Sequence, residues 1–239
     1  MSAPLDILPV RTGGAAENMA TDFLLLQRYP RASAPRFRHY GWHRPAFTFG
    51  YSQKFSFVQT QLPKGEHLDV CRRATGGGVV DHRDDWTYAL VIPRGHPLEE
   101  LRATQSYREV HEALAAALRA QGVPATTKQE REPGIEEAAP MGVCFQRAEI
   151  FDVLNEKTGE KIAGAAQKRN KHGLLFQGSI WRPATGTPID WERLNDDFVV
   201  GLGAALGVPA EATPWPEFAD GEVEGLIEQY SSPEWMEHR

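Results

Sequence analysis

The sequence has few cysteines and no long apolar run. Its 239 residues include two cysteines, Cys71 and Cys144, which are too few for a disulfide framework and lack the spacing of metal ligands. No stretch approaches the roughly 18 consecutive apolar residues of a membrane span. The first residues lack a basic segment followed by an apolar one, so we expect no secretory signal. These absences favour a cytoplasmic protein with no membrane partner and no metal.

A broad excess of basic charge is also absent. Lysine and arginine number 26 against 32 aspartates and glutamates, which gives a net charge of −6. Eight acidic residues and one arginine fall within residues 210–239, so the rest of the chain is close to neutral. Nucleic-acid binding depends on a basic surface and is therefore not expected. We interpret the acidic segment as a solvated face, with the steering of a partner as the alternative.

The predicted elements lack the strand–helix alternation of a parallel α/β fold. Helical periodicity covers residues 15–28 and 104–121, and two more helices lie near Trp191 and Val223. Thr104 or Ser106 could cap the second helix. This order favours a single α+β domain over residues 1–239, with a largely antiparallel or mixed sheet flanked by helices. Strands are predicted at 36–42, 46–51, 68–73, 86–92, 141–145, 149–154, 161–167 and 173–181, and a long surface loop at 125–140.

The standard nucleotide-binding fingerprints are missing, but another glycine-rich segment is present. Residues 72–78 read RRATGGG and lie between two predicted strands. Gly76, Gly77 and Gly78 allow positive φ angles and let a ligand approach bare N–H groups. Arg72 and Arg73 could bind a phosphate or a carboxylate. A tight hairpin with solvated arginines is the alternative interpretation.

Cys144 and Lys161 are the candidate reactive residues. A lone cysteine in an apolar strand is usually a small buried hydrophobe, which is the only role assigned to Cys71. A nearby cation would instead lower the thiol pKa of Cys144 and make it a nucleophile. Lys161 begins the segment KIAGAAQ, in which Gly164 and Ala166 leave room for an extended acyl or adenylate ligand. An exposed lysine at a strand end is the alternative.

These segments together resemble the biotin/lipoate protein ligase and octanoyltransferase superfamily. The strongest part is the agreement in order and spacing between RRxxGGG and the later KxxGxAQ. The segment around Cys144 looks like the cysteine-dependent octanoyltransferase branch, as does YSSPEW at 230–235. The other matching segments are Asn18-Met19-Ala20 with Asp22, Tyr40-Gly41-Trp42, FGYSQ at 49–53, VVDH at 79–82 and Gln177-Gly178-Ser179.

The resemblance implies a two-step acyl transfer. Cys144 would accept an octanoyl group from octanoyl-acyl carrier protein as a thioester, and Lys161 would stabilise the thiolate and orient the acyl carbonyl. A lysine of a lipoyl domain, in a 2-oxoacid dehydrogenase E2 or the glycine-cleavage H protein, would then form an amide. No cofactor is expected, because the thioester supplies the driving force. The implied substrate-binding residues are Asn18, Tyr40, Arg72, Arg73, Gly76, Gly77, Gly78, His82, Gly164 and Ala166.

The sequence departs from the family pattern at residue 83. Members commonly have an aspartate directly after the histidine, whereas Arg83 follows His82 here. Aspartates stand instead at positions 81, 84 and 85. If the family aspartate orients the histidine or binds substrate, one of these shifted aspartates must substitute for it.

Two other functions are compatible with the same residues. An ATP-dependent lipoate-protein ligase would hold an acyl-adenylate and Mg²⁺ between the glycine loop and Lys161, and Cys144 would be idle. A non-catalytic member would only bind lipoyl or biotinyl domains, and Arg83 at the usual aspartate position is its one support.

Overall fold

A computed structural model of the protein describes residues 3–130 and 148–238. The predicted strand at 141–145, with Cys144, lies outside these residues. The strands are β1 Leu5–Ile7, β2 Arg11–Gly13, β3 Arg36–Trp42, β4 Ala46–Phe49, β5 Asp69–Arg72, β6 Val79–Asp81, β7 Asp85–Pro93, β8 Ala125–Thr127, β9 Val153–Asn155, β10 Lys161–Asn170, β11 Gly173–Trp181 and β12 Ala210–Ala212. The helices are α1 Ala15–Gln27, α2 Phe55–Gln61, α3 Pro97–Glu100, α4 Ala103–Ala120, α5 Trp191–Leu206, α6 Glu222–Ser231 and α7 Pro233–Met236, with a 3-10 turn at Arg182–Thr185.

Two sheets form the framework within the described ranges. The large sheet has the order β12-β1-β3-β7-β11-β10-β9-β8, and β2 pairs beside β3. The pairs β3–β7, β7–β11, β11–β10, β10–β9 and β9–β8 are antiparallel, whereas β1 and β2 pair in parallel with β3. The small sheet has the order β5-β4-β6. The expected α+β fold with a largely antiparallel or mixed sheet is confirmed.

Helices cover both faces of the large sheet, and the central strand β7 shows the result. Alternate residues of β7 point to opposite faces. Trp86 and Leu90 pack in a cluster with α4 and α5, whereas Ala89 and Val91 pack in a second cluster with α1. Burial on both faces explains why WTYALVI is apolar at every position except Thr87.

Two local predictions at the ends of α4 are wrong. Helix α4 begins after Arg102, and no side chain caps it. Thr104 is already inside the helix, and the Ser106 hydroxyl donates to the Ala103 carbonyl oxygen at 3.1 Å. Residues 125–127 are not loop but strand β8, because Ala125 and Thr127 are buried and pair with β9.

The predicted strand at 149–154 is correct only at its end. Strand β9 begins at Val153, and the residues before it form a turn. Phe151 has a φ angle of 66°, which is unusual for a residue other than glycine. This left-handed residue turns the chain just before Asp152.

Among the residues that the structure describes, no helix has the length and apolar character needed to cross a membrane.

Candidate active site

The candidate site is a cavity between the large sheet and the glycine-rich segment 73–78. Strands β10 and β11 form one wall, and the small sheet with residues 73–78 forms the other. The exposed surface inside is mostly apolar. Its lining residues are Met19, Tyr40, Thr48, Arg73, Gly77, Val80, His82, Thr87, Lys161, Gly164, Ala165, Ala166, Gln177, Gly178 and Ser179.

Lys161 lies in the cavity wall in a buried ion pair. Its Nζ is 2.7 Å from Oδ2 of Asp152, and the two side chains are 8% and 1% exposed. Gly164 makes this position possible. A Cβ built on Gly164 would lie 2.6 Å from Cε and 2.7 Å from Nζ of Lys161. The small residue predicted to leave room for a ligand therefore also leaves room for the lysine side chain.

Helix α4 holds the loop that carries Asp152. The Tyr107 hydroxyl accepts from the Ala165 N–H at 2.6 Å and lies 3.1 Å from Oδ1 of Asp152. The Nδ1 atom of His111 lies 2.7 Å from the carbonyl oxygen of Phe151. Burial raises the pKa of Tyr107 and lowers that of His111. Tyr107 therefore stays protonated, and His111 is held neutral as a donor to the strained turn.

The glycine-rich segment is fixed by Arg73 and Thr75. Arg73 is buried and donates to the carbonyl oxygens of Gly76 and Gly78 at 2.8 and 3.1 Å. The Thr75 hydroxyl donates to Oε1 of Gln177 on β11 at 2.7 Å. Gly77 has a φ angle of 91° and lines the cavity. Gly76 and Gly78 act here through their carbonyl groups and are not part of the lining.

Arg72 has a different role from the one expected. Its guanidinium is fully buried and donates to the carbonyl oxygens of Gln53 at 2.9 Å, Trp235 at 2.8 Å and Met236 at 2.7 Å. It also donates to the carbonyl oxygen of Tyr51. Arg72 is not a lining residue of the cavity, and it joins the C-terminal helices to the small sheet. The interpretation of solvated arginines is wrong for both Arg72 and Arg73, because both are buried.

Tyr40 reaches the cavity, whereas Asn18 lies behind it. The Tyr40 hydroxyl donates to Oδ2 of Asp22 at 3.0 Å, and Arg38 donates to Oδ1 at 2.7 Å. Burial raises the pKa of Asp22, and these donors oppose that shift. Asn18 donates to the carbonyl oxygen of Gly41 at 3.0 Å. Asn18 therefore holds β3 in place and is not a lining residue of this cavity.

His82 is oriented by an aspartate three residues downstream. Its Nδ1 lies 2.6 Å from Oδ2 of Asp85, and its Nε2 lies 2.7 Å from the Thr48 hydroxyl. Thr87 donates to the same aspartate oxygen at 2.8 Å, and Ser179 also donates to it. Asp85 thus orients His82 in place of the family aspartate, whose usual position is taken by Arg83.

Arg83 takes no part in this network. It pairs with Asp81 at 2.8 Å and with Glu66 at 3.2 Å on the surface.

Cys71 is fully buried, and burial raises the pKa of its thiol. Cys71 is therefore a core residue, as its apolar surroundings in the sequence indicated.

The structure brings together Lys161, Gly164, Ala166, Tyr40, Arg73, Gly77 and His82 around one cavity. Sequence reasoning missed Asp152 and Thr48 as partners of Lys161 and His82. Asp152 is the one acidic residue in the apolar stretch IFDVL, which is the signal that could have found it. Thr48, in a short apolar strand, offered no comparable signal.

In the described ranges, no group of three or more histidine, cysteine, aspartate or glutamate residues could hold a metal ion.

The sequence matches the lipoyl protein ligase A/B catalytic domain over residues 14–183, and the chain belongs to this family. The match spans α1 to β11 and includes every residue of the cavity lining. The expected superfamily is therefore confirmed.

The curated relatives share one name. Octanoyltransferase LipM of Kyrpidia tusciae is 28% identical over 267 residues, which cover 96% of this chain and 97% of the relative. Octanoyltransferase LipM of Symbiobacterium thermophilum is 28% identical and covers 92% of this chain and 93% of the relative. Octanoyltransferase LipM of Geobacillus kaustophilus is 33% identical over 69% of this chain and 60% of the relative.

Solved structures share the fold over nearly the full length. Protein Ta0514 of T. acidophilum, solved with bound lipoic acid, has a TM-score of 0.75 and 19% identity, and all of both chains is covered. Lipoate-protein ligase A bound with ATP has a TM-score of 0.69 and 18% identity, and 98% of each chain is covered. At these identities the likeness establishes the fold alone.

Proposed function

We propose that this protein is an octanoyltransferase that takes its octanoyl group from acyl carrier protein and gives it to a lysine of a lipoyl domain. The thiolate of Cys144 attacks the carrier thioester, the carrier thiol leaves, and an octanoyl-enzyme thioester forms. The acceptor lysine amine then attacks this thioester and releases Cys144. Residues 1–239 act as one catalytic domain, and the cytoplasmic location stays a prediction.

The observation that carries this proposal is a buried lysine in the wall of an apolar cavity. Burial of a hydrocarbon chain contributes about 0.8 kcal/mol per CH₂ group, so an octanoyl chain gains several kcal/mol in such a site. The Lys161 ammonium, held by Asp152, supplies positive charge beside that chain. A nearby ammonium stabilises both a thiolate and the oxyanion of acyl transfer.

The ATP-dependent ligase is not favoured. An adenylate needs donors for its phosphate, and the arginines of the glycine-rich segment already donate to protein oxygens. Arg73 donates to Thr48, Gly76 and Gly78, and Arg72 holds the C-terminal segment. The relatives named octanoyltransferase also support acyl transfer.

The non-catalytic alternative loses its one support. Arg83 was the departure that suggested a degenerate site, yet Asp85 orients His82 in its place. Arg83 lies at the surface with Asp81 and Glu66. The cavity therefore keeps a complete histidine–aspartate pair despite the change in sequence.

An ATP-free transfer assay tests the proposal. Octanoyl-acyl carrier protein and a lipoyl domain are mixed with the enzyme, and the mass of the domain is measured. The domain should gain one octanoyl group, Cys144→Ala should abolish the gain, and Cys71→Ala should retain most of it. Modification that requires ATP and a free acid would establish the ligase, and no modification under either condition would establish the non-catalytic protein.

A further inference from the structure

We propose that the end of the β10–β11 hairpin binds the acyl carrier protein, and that Lys168 binds the phosphate of the carrier's phosphopantetheine arm. This inference rests on the proposed octanoyl transfer and assigns the surface that receives the donor. The hairpin reads KRNKH at 168–172, and its last strand pair is Asn170 with Gly173. Basic residues are therefore concentrated at one end of the two strands that form a wall of the cavity.

Strand β10 brings Lys168 to the edge of the cavity. Side chains two residues apart point to the same face of a strand, so Lys168 continues the row of Gly164 and Ala166, which line the cavity. A rise of about 3.3 Å per residue places Lys168 about 7 Å beyond Ala166. Its Nζ lies 5.5 Å from the centre of the Tyr51 ring, and the Tyr51 N–H donates to the Thr75 carbonyl oxygen at 2.8 Å. The ammonium therefore lies between β10 and the glycine-rich segment, the two walls of the cavity.

Most of the positive charge at this end of the hairpin is not neutralised by a carboxylate. Arg169 points to the opposite face of β10 and lies 3.9 Å from the Glu99 carboxylate. Lys168 and Lys171 form no ion pair with any residue in the described ranges. Arg94 is exposed, and its main-chain N–H is hydrogen-bonded to the hairpin turn at 3.2 Å. The end of the hairpin is thus a positive surface on a chain whose net charge is −6.

The two lysines of β10 differ in what holds them. Lys161 is paired with Asp152 at 2.7 Å inside the cavity, so its charge is balanced by a carboxylate. Lys168 is held against the Tyr51 ring, which attracts a cation but carries no net charge. The Lys168 ammonium therefore keeps its charge for an anion that approaches the edge of the cavity.

The charges of the two substrates decide which of them fits this surface. The carrier presents its acyl group on an arm in which a phosphodiester separates the thioester from the protein. When the acyl chain lies in the cavity, this negative charge lies outside it, on the way to the carrier. A lysine ammonium binds phosphate as a point charge. The acceptor lysine is itself an ammonium ion at neutral pH, which a basic surface repels. The end of the hairpin therefore fits the donor.

Binding of the carrier without an acyl group tests this surface independently of the chemistry. The dissociation constant of the complex with holo-acyl carrier protein is measured by fluorescence anisotropy at low salt. The Lys168→Glu/Lys171→Glu variant should bind about 10- to 100-fold more weakly than the normal protein. Its affinity should also fall less between about 0.05 and 0.3 M salt, because it has fewer attractive charges to screen.

Two single variants complete this experiment. Lys171→Glu alone changes an exposed residue of the turn and should weaken binding by about five-fold, so a loss of affinity does not depend on the packing of Lys168. Lys157→Glu is the matched control and should bind normally. Lys157 is also exposed in a hairpin turn, but this turn lies at the opposite end of β10.

A pair of small donors tests the role of Lys168. Octanoyl-phosphopantetheine and octanoyl-pantetheine differ only in the phosphate, and kcat/KM for octanoyl-enzyme formation is measured with each. The normal protein should prefer the phosphorylated donor, and Lys168→Gln should reduce this preference by about five-fold. Lys171→Gln should retain more of the preference, because Lys171 lies farther from the cavity. An equal preference in Lys168→Gln and the normal protein would contradict the role of Lys168.

The outcomes separate this inference from the proposed function. Normal binding of the carrier by the Lys168→Glu/Lys171→Glu variant would overturn the docking surface, as would an equal loss of affinity in Lys157→Glu. Loss of affinity for the lipoyl domain with normal binding of the carrier would assign the surface to the acceptor and would also overturn it. Failure of the normal protein to form octanoyl-enzyme from any of the three donors would instead overturn the proposed function.

Discussion

The chemistry of this site depends on glycines that allow larger side chains to pack directly against the main chain. Lys161 lies against Gly164, and its Nζ reaches Asp152 only because the glycine has no side chain. The same holds at Gly178, where a Cβ would lie 2.2 Å from the Tyr88 ring. The small residues of KIAGAAQ and QGS therefore fix the positions of larger neighbours as well as the width of the cavity.

Gly164→Ala should displace Lys161 from Asp152. The added Cβ would contact the flexible end of the lysine, so the fold should tolerate it while the ammonium moves. A displacement of about 1 Å can cost on the order of 10²-fold in rate, and we expect a loss of about that size in octanoyl-enzyme formation. The rate is followed by intact mass on a quenched time course.

Gly225→Ala is the control for that substitution. Gly225 lies on the exposed face of α6 with no atom within 4 Å of a built Cβ. This control should keep full activity and gain about 0.5–1 kcal/mol in the free energy of unfolding. Normal octanoyl-enzyme formation in Gly164→Ala would show that the position of Lys161 is not critical.

At the scale of elements, long periodic segments were predictable and short ones were not. The bounds of β3 and β11 match the predicted 36–42 and 173–181, because buried strands of seven and nine residues carry a clear apolar pattern. Strands β1, β2 and β12 have only three residues each, too few for a pattern. Their pairing depends on contacts between distant parts of the chain.

The residues of the site were also only partly predictable from the sequence. Glycine and lysine motifs located the residues around the cavity, because their spacing follows the strands that carry them. The Lys161–Asp152 pair was not predictable, since it depends on the left-handed turn at Phe151 and on its anchoring by His111. A signal of this kind exists only in the folded chain.

Helix α4 should confer a pH dependence on stability through His111. Burial lowers the pKa of His111 below the unfolded value of about 6.5. As the pH falls below that value, the unfolded chain takes up a proton that folded His111 refuses, so the folded state loses stability. Burial lowers the pKa of His39 in the same direction. Urea unfolding of the normal protein should therefore show lower stability at pH 5.0 than at pH 7.5.

His111→Gln isolates the contribution of this residue. At pH 7.5 we expect a loss of about 1–3 kcal/mol, because the Phe151 carbonyl oxygen loses a well-placed donor in a buried position. The difference in free energy of unfolding between the variant and the normal protein should be smaller at pH 5.0. The variant lacks the buried histidine that destabilises the normal protein at acid pH. A constant difference between the two pH values would contradict the role assigned to His111.

At the scale of the whole molecule, the C-terminal helices are fastened to the sheet that carries the glycine-rich segment. Arg72 donates to main-chain carbonyls of Trp235 and Met236, and the Trp235 indole N–H donates back to the Arg72 carbonyl oxygen at 2.9 Å. Tyr51 packs against Trp235 at 5.9 Å. The YSSPEW segment thus supports the small sheet from outside the cavity, although Trp235 follows Arg72 by 163 residues in the chain.

Arg72→Lys should loosen this connection. Lysine cannot reproduce the planar set of donors that reaches four carbonyl oxygens. We expect a loss of about 2–3 kcal/mol in the free energy of unfolding, measured with urea, and faster proteolysis after residue 222. Arg83→Lys is the matched control, and its exposed pairs should contribute less than about 1 kcal/mol. Equal stability of the two variants would contradict the role of Arg72.

We propose that this family member carries its acyl group on Cys144. The most direct test is the intact mass of the protein after mixing with octanoyl-acyl carrier protein in the absence of ATP and acceptor. We expect the mass of one added octanoyl group, its location at Cys144 in a peptide map, and its release by a lipoyl domain. An unchanged mass, together with acyl transfer that depends on ATP, would contradict it.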